Sequence, residues 1–592
     1  MKSLLLGNAA IARAVYEAGV CLASSYPGTP STEITANIAT YDEIYTEWAT
    51  NEKVGMEVAW GACIAGKRSF TGMKHVGLNV AADVLFTISY AGVNAGMVCV
   101  VADEPGMHSS QNEQDSRYYA KAAKVPMLEP ADSAECLEFT KYAYEMSEKY
   151  DTPVLIRMCT RICHSQSVVE LSDRVEPPVK EYVKNPQKYV MMLTYARPKH
   201  PAVEQRMLDI KNFAETSKFN RIEMAAAPAA DGKAGEFADL GIITSGTAYQ
   251  YVKEVFGDNV SVLKLGIVNP LPEKLILDFA SKVKRLVVVE ELDPYLEDHC
   301  KKLGLKVSGK DLFPIVGELS QNIVAQKLGA PYNNGKNVED IIPMRPPVMC
   351  AGCSHRGLFY TLGKMGVTVV GDIGCYTLGA TPPLNAMDLQ ICMGASVSGL
   401  HGFVRGGGKN VIGVIGDSTF AHMGVPGLID IGYNGSDSTL IILDNSTTGM
   451  TGHQENPTTG VNIKGEKVGK MDIEAMCRAC GIERVTIIDP NELAECERVI
   501  KEEMAIPGPS VIIARRPCIL LKSSKPNPPL FVDIDKCTGC KMCMKIGCPA
   551  ISMTIGTSAE TKKAEINKTL CTGCDVCVQL CKFDAFLQGG AE

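Results

Sequence analysis

Residues 411–420 read VIGVIGDSTF, and residues 439–447 read TLIILDNST. Each is an apolar run closed by small, acidic or amide residues, the pattern of a parallel strand covered on both faces. Asp417 closes the first run, and Asn445 follows it by 28 residues at the end of the second. Side chains at the carboxyl ends of two parallel strands converge on the crevice where open α/β sheets take their cofactors. The helix opening at Asp417 and Ser418 would aim its amides at an anion, and Gly416 admits a close backbone approach. Mg2+ prefers an octahedron of oxygens and usually takes few protein ligands beside phosphates. The Asp417 carboxylate, the Asn445 side-chain oxygen and the Thr447 carbonyl fit three corners, leaving room for diphosphate oxygens and a water. The paired runs therefore read as a Mg2+ and thiamine diphosphate site.

The same alternation of apolar runs and helical patterns extends outward from this point. In residues 1–165 the pattern predicts a helix over 78–92 and strands over 95–102 and 154–158. In 236–340 it predicts strands over 240–244, 260–265 and 285–290, and in 345–522 further strands over 367–370 and 511–514. Strands alternating with helices imply parallel α/β sheets, so three α/β domains are expected. Leu4–Leu6 and Ala9–Ala12 are read as an opening helix. Gly7 and Asn8 interrupt the apolar run, and Arg13 and Glu17 follow too soon for a secretory leader. Residues 166–235 are charged and rich in Pro and Ala, and read as a connector with some helix. The stretch SSKPNPP at 523–529 is a Pro-rich linker, and 530–592 is a short cysteine-rich appendage.

The chain has 592 residues, of which 46% are hydrophobic and 21% charged, which excludes a disordered, collagenous or coiled-coil protein. A net charge of −8 offers no electrostatic reason to bind nucleic acid or an anionic membrane. No apolar run approaches the roughly 20 residues needed to span a bilayer, and a cytoplasmic protein is expected. There are 23 cysteines, and eight of them fall between Cys537 and Cys581. An odd count gathered at one end is not a secreted disulfide framework.

Those eight cysteines form two blocks, CTGCKMCMKIGCP at 537–549 and CTGCDVCVQLCK at 571–582, repeating at an interval of 34 residues. Cys-x2-Cys-x2-Cys brings three thiolates from one tight loop to one cubane, and the fourth ligand crosses over from the other block. One [4Fe-4S] cluster is expected on Cys537, Cys540, Cys543 and Cys581, and the second on Cys571, Cys574, Cys577 and Cys548. Zinc sites use separated pairs rather than triplets. Two departures stand out: four residues rather than three precede Cys548, with Gly547 absorbing the extra length, and Lys582 replaces the usual proline.

Thiamine chemistry needs a carboxylate on the aminopyrimidine to activate the cofactor. Glu52 and Glu57, in NEKVGMEVAWGACIAG at 51–66, are the two candidates.

GDSTFAHMGVPGL, DNSTTGMTGHQ, SYPGTP at 25–30 and the cysteine-rich tail together resemble the 2-oxoacid:ferredoxin oxidoreductases, over nearly the whole chain. The nearest match is to alpha subunits of the branch acting on aryl pyruvates. The resemblance implies a pyrimidine-binding domain over 1–165, a connector over 166–235 and a middle, transketolase-C-like domain over 236–340. It implies a diphosphate domain over 345–522 and a two-cluster bacterial ferredoxin domain over 530–592. By position Glu52 matches the activating glutamate, and Thr29 the threonine near the substrate carboxylate. The resemblance further implies a smaller beta subunit in an α2β2 assembly, coenzyme A as co-substrate and ferredoxin as electron acceptor. Cys350, Cys353, Cys375 and Cys518 lie in settings that hold a third cluster in the related pyruvate enzymes. His355, His422 and His453 lie inside the motifs without an assigned role. Two other readings stand beside this one: a non-oxidative thiamine decarboxylase or synthase, and an electron-transfer subunit with a degenerate thiamine site.

Overall fold

Long apolar runs between helices become strands buried along their whole length, as in Met97–Asp103, Val154–Cys159 and Val411–Gly416. Helices cover both faces of such strands, so every position must be apolar or internally paired. The computed structural model describes residues 1–225, 237, 239–331, 343, 346–554 and 562–588. It divides into two units, Met1–Asp340 and Ile341–Glu592.

The first unit is built on a seven-stranded sheet. Its strands run in the order Ile267–Asn269, Met127–Leu128, Val154–Cys159, Met97–Asp103, Ser69–Lys74, Leu22–Ser25 and Tyr45–Trp48. All pair in parallel except the edge strand Ile267–Asn269. The strand order reverses direction beside Leu22–Ser25, so the loops after Leu22–Ser25 and Ser69–Lys74 diverge and open a crevice at the carboxyl edge. A four-stranded sheet in the order Arg285–Val289, Leu240–Ser245, Ser261–Leu265 and Arg221–Glu223 completes the unit's regular core.

Two expectations are corrected here. Residues 2–6 form a strand, not the start of a helix. Lys2–Leu6 pairs antiparallel with Gln166–Glu170, and the helix begins only at Gly7. The partner strand is remote in sequence, so local helical spacing gave no sign of it. The segment after residue 166 is also more than a connector. It supplies that partner strand, the edge strand Arg221–Glu223 and the helix His200–Ala214, which buries Val203, Ile210 and Ala214. The Ala/Pro-rich remainder, 226–235, lies outside the described residues, as do the expected domain limits at 236, 340 and 345 and the chain end at 592.

The second unit carries a five-stranded, wholly parallel sheet in the order Thr368–Val370, Val411–Gly416, Thr439–Asp444, Ser510–Arg515 and Arg484–Ile488. Gly416 stands beside Leu443, so Asp417 and Asn445 leave the sheet from neighbouring strand ends. The cysteine-rich segment folds on two short antiparallel pairs, Leu530–Val532 with Phe586–Gln588 and Ile551–Met553 with Ala564–Ile566. No helix among the described residues is long and apolar enough to cross a membrane.

Candidate active site

At the carboxyl edge of the five-stranded sheet, Asp417, Asn445 and Thr447 are buried together. The Asn445 side-chain oxygen stands 2.9 Å from the Thr447 carbonyl oxygen and 3.3 Å from Asp417 Oδ1. In this orientation three oxygens face one another. Turning the carboxamide over would relieve this, because its nitrogen would then donate to both neighbours. A cation relieves it equally well. Adjacent corners of an octahedron with Mg–O bonds of 2.0–2.1 Å lie about 2.9 Å apart, close to both separations. Asn445 Nδ2 lies 3.4 Å from His355 Nε2. Burial pulls His355 down to about 4, so the ring is neutral, and in the tautomer protonated on Nδ1 it accepts from that amide and leaves the Asn445 oxygen turned inward.

Asp417 carries the electrostatic mark of the site. Burial, and then the neighbouring Asp444, push its carboxyl up to about 7. The Ser418 N–H at 2.7 Å and the Thr458 hydroxyl at 3.3 Å donate to it, but no cationic side chain among the described residues pairs with it. Asp444 is engaged elsewhere, with Arg515 at 2.8 Å. The Gly416 N–H donates to the Tyr376 hydroxyl at 3.0 Å, and Thr448 donates to Ser418 at 2.9 Å. The residues present therefore fit a divalent cation with a diphosphate.

Cysteines border this crevice. The Cys518 N–H donates to the Asn445 carbonyl at 2.9 Å, and the Cys518 sulfur lies 3.8 Å from His453 Nε2. A Cβ on Gly449, in the loop after Asn445, would touch the Cys375 sulfur at 3.4 Å. Cys350 and Cys353 face them: burial pushes Cys353 up to about 12, and Cys350 and Cys375 add to it. Burial, Cys518 and Cys350 act likewise on Cys375. Cys350, Cys353, Cys375 and Cys518, from three separate stretches of chain, thus influence one another's ionisation.

The tail shows the same mutual pressure in two groups. Cys537, Cys540, Cys543 and Cys581 line one small pocket. Burial pushes Cys543 up to about 11, with Cys540, Cys537 and Cys581 acting in the same direction. Cys577 is raised by burial and by Cys574, Cys548 and Cys571. Thiols that disfavour one another's ionisation are poor isolated thiolates, and a cationic iron core removes that penalty. Both groups fit cubanes, with Cys581 and Cys548 each exchanged between blocks.

In the first unit, Glu52 and Glu57 differ sharply. Glu52 opens the helix Glu52–Ile64 behind the Asn51 cap and is buried, and a Cβ on Gly77 would lie 2.6 Å from its Oε1. Glu57 is half exposed and pairs with Lys53 at 3.5 Å. Thr29 lies in the loop after Leu22–Ser25, where the strand order reverses. Its neighbour Gly28 packs against Lys74, which is buried and donates to Ser109 O at 3.0 Å. His422 is buried in the helical turn after Asp417. Sequence reading missed Lys74, Tyr376, Thr458 and the part His355 plays beside Asn445. None stands at a diagnostic spacing from its partner, so no local signal marked them.

Three family models match: "Pyruvate flavodoxin/ferredoxin oxidoreductase, thiamine diP-bdg" over 13–232, "Thiamine pyrophosphate enzyme, C-terminal TPP binding domain" over 372–514, and "4Fe-4S dicluster domain" over 530–582. The chain is α/β with thiamine-binding domains and a C-terminal dicluster domain. It is similar to the indolepyruvate oxidoreductase subunit IorA of Pyrococcus horikoshii, 40% identical over 99% of this chain and 96% of that one. The IorA subunit of Archaeoglobus fulgidus is 39% identical over 98% of this chain and 96% of its own. A 2-oxoglutarate:ferredoxin oxidoreductase structure from Magnetococcus marinus aligns with a TM-score of 0.46 and 18% identity, over 55% of this chain and 65% of that one.

Proposed function

The chain belongs to the indolepyruvate oxidoreductase IorA subunit family, and from that premise we propose that it oxidatively decarboxylates aryl pyruvates such as indolepyruvate and phenylpyruvate. The coarser activity is thiamine-dependent oxidoreduction of a 2-oxoacid with ferredoxin. The finer reaction converts the 2-oxoacid and coenzyme A to the aryl-acetyl thioester and CO2. The two electrons released leave singly for two ferredoxins, and one proton goes to water. A smaller beta subunit completes an α2β2 enzyme.

Thiamine diphosphate, when bound, supplies the carbon nucleophile for the ketone and the electron sink for decarboxylation. Asp417, Asn445 and the Thr447 carbonyl would hold Mg2+ for its diphosphate, and Ser418 and Gly416 would line the phosphate end. His355 keeps the Asn445 oxygen turned to the ion. Glu52, the buried one of the two glutamates, holds a proton at the aminopyrimidine, and Thr29 positions the substrate carboxylate. Cys350, Cys353, Cys375 and Cys518 would hold a third [4Fe-4S] cluster beside the site. Cys548, Cys571, Cys574 and Cys577 would hold one of the two tail clusters and Cys537, Cys540, Cys543 and Cys581 the other, and such clusters would supply one-electron carriers when bound.

The observation that supports this reading is the backbone hydrogen bond from the Cys518 N–H to the Asn445 carbonyl at 2.9 Å. It sets the loop that carries Asn445 beside the one that carries Cys518, the proximity a one-electron relay from a decarboxylation site needs. The test is anaerobic reduction of ferredoxin by indolepyruvate, with and without coenzyme A, using the chain with its beta partner. Reduction that depends on coenzyme A is expected. Aldehyde formation without ferredoxin reduction would establish the non-oxidative reading instead. Iron and sulfide without retained thiamine diphosphate would establish the electron-transfer subunit. A count of about 12 iron atoms per chain is expected, at four per cubane, and about eight would remove the third cluster.

A further inference from the structure

Arg356 opens the helix Arg356–Met365, three residues beyond Cys353, and is buried. All four of its terminal N–H groups are spent on backbone carbonyls. Nη1 donates to Ile546 O and Gly547 O, both at 2.7 Å, and Nη2 donates to Met349 O and, at 3.0 Å, to Cys350 O. Its Nε has no partner, and no carboxylate pairs with it among the described residues. The hydrogen bonds satisfy its donors but not its charge, and a buried charge without a counter-ion is expensive. The guanidinium is instead bonded to the backbone of one proposed ligand, Cys350, and of Gly547, the residue before another, Cys548.

The two loops it grips belong to different cysteine groups. Met349 and Cys350 lead into the Cys350/Cys353 turn, while Ile546 and Gly547 immediately precede Cys548. Those two carbonyls come from the lengthened stretch between Cys543 and Cys548. The helical turn Met542–Ile546 ends at Gly547 with φ +62°, and a Cβ there would lie 2.6 Å from Pro383 Cδ and 3.5 Å from Arg356 Nη1. The extra residue and the left-handed glycine together present two successive carbonyls to one guanidinium. Behind the same turn, the Gly352 backbone packs directly on the Thr572 side chain of the second cysteine block.

We infer that Arg356 is a positioning residue that joins the Cys548 cluster to the Cys350/Cys353/Cys375/Cys518 centre and, as the counter-charge to both, raises their reduction potentials. The counter-ion missing from the protein is the clusters themselves, since four thiolates outweigh the positive iron–sulfur core. Net charge and hydrogen bonding near a cluster are among the levers that set its potential. The four-residue spacing before Cys548 is, on this view, the docking element for Arg356.

This inference rests on the cluster assignments proposed above, and its test separates the two. Arg356→Gln and Arg356→Lys are prepared as the full chain with its beta partner and titrated by EPR-monitored reduction, with iron counted in parallel. The cluster on Cys537, Cys540, Cys543 and Cys581 serves as internal reference, its signal identified by its loss in Cys540→Ser. In Arg356→Gln the reduced-to-oxidised ratio of the Cys548 cluster at a fixed potential should fall about tenfold, which is about 59 mV for one electron. The reference should move less, and Arg356→Lys should restore most of the change. Unchanged potentials with iron retained would overturn the inference. So would equal shifts in both variants, which would assign the effect to lost hydrogen bonds. If Arg356→Gln sheds iron, Arg356→Lys decides: retained iron with near wild-type potentials supports the charge role, and the same iron loss overturns it. A wild-type count of about eight iron atoms removes the third cluster but leaves the Cys548 measurement standing.

Discussion

At the carboxyl edge of the seven-stranded sheet, buried charges are matched inside the protein. Arg157 pairs with Asp103 at 2.6 Å and with Glu129, and Arg117 pairs with Asp115 at 2.5 Å and with Glu290 at 2.7 Å. In the second unit some buried charges have no opposite side chain among the described residues, and Asp417 and Arg356 are two of them. Asp417 meets no cationic side chain, and Arg356 meets no carboxylate among the described residues. The difference separates two uses of buried charge. Matched groups orient loops and hold the two sheets of the first unit together, whereas an unmatched group costs stability unless something else is bound. Asp417 calls for a cation and Arg356 for an anion.

The largest effect expected from breaking this contrast is at Asp417. Asp417→Ala should abolish thiamine diphosphate retention and reduce 2-oxoacid turnover to background, while iron per chain stays at the wild-type count. Bound thiamine and iron are both measured on the purified complex. Iron lost in parallel would make Asp417 a structural residue instead.

The next effect should come from unmatching the first unit. Arg117→Met leaves Asp115 and Glu290 buried without their partner and should cost about 3–5 kcal/mol, read from denaturant unfolding of the chain. Asp417→Asn should do the reverse in cofactor-free protein, raising the midpoint because it removes an unmatched charge. A fall in both variants would erase the distinction between the units.

The smallest effect tests the exception. Glu291, at the end of Arg285–Val289, lies among matched charges, yet burial, with Glu318 adding, pushes it up to about 7 from its ordinary 4.5. The folded chain thus holds this proton to higher pH than the unfolded chain does. The associated stability is complete below about pH 4.5 and is lost as pH rises through about 7. Glu291→Gln should flatten that part of the stability–pH curve, measured by thermal unfolding across pH 4–8. A slope unchanged by the substitution would mean Glu291 is matched after all, and the first unit fully balanced.

The features legible in the sequence were those whose partners lie close along the chain or at a repeated interval. The dicluster domain was legible because one tight loop sets the spacing of three sulfurs, and the two blocks mirror each other. Asp417 and Asn445 were visible because each ends an unbroken apolar strand, and neighbouring parallel strands put their ends side by side. Lys2–Leu6 was misread because its only distinguishing feature as a strand is a partner at Gln166–Glu170. Residue type alone did not separate Glu52 from Glu57; position in the family motif favoured Glu52. Only packing against Gly77 buries one while the other stays with Lys53 in solvent.

The sequence alone determined the chemistry on offer: strands ending in oxygen ligands, thiol triplets, and an α/β frame whose strand ends bring distant loops to one edge. Those follow from local periodicity and spacing, which the backbone converts directly into geometry. Tertiary structure decided which groups face one another and which charges stay unmatched. It let Cys350, Cys353, Cys375 and Cys518 act on one another from three separate stretches, bonded the Cys518 backbone to that of Asn445, and gave the Arg356 guanidinium four backbone carbonyls from two cysteine-bearing loops. Burial and pairing are properties of the whole packed chain, so a residue's charge acquires its cost, and hence its use, only once distant segments have closed around it.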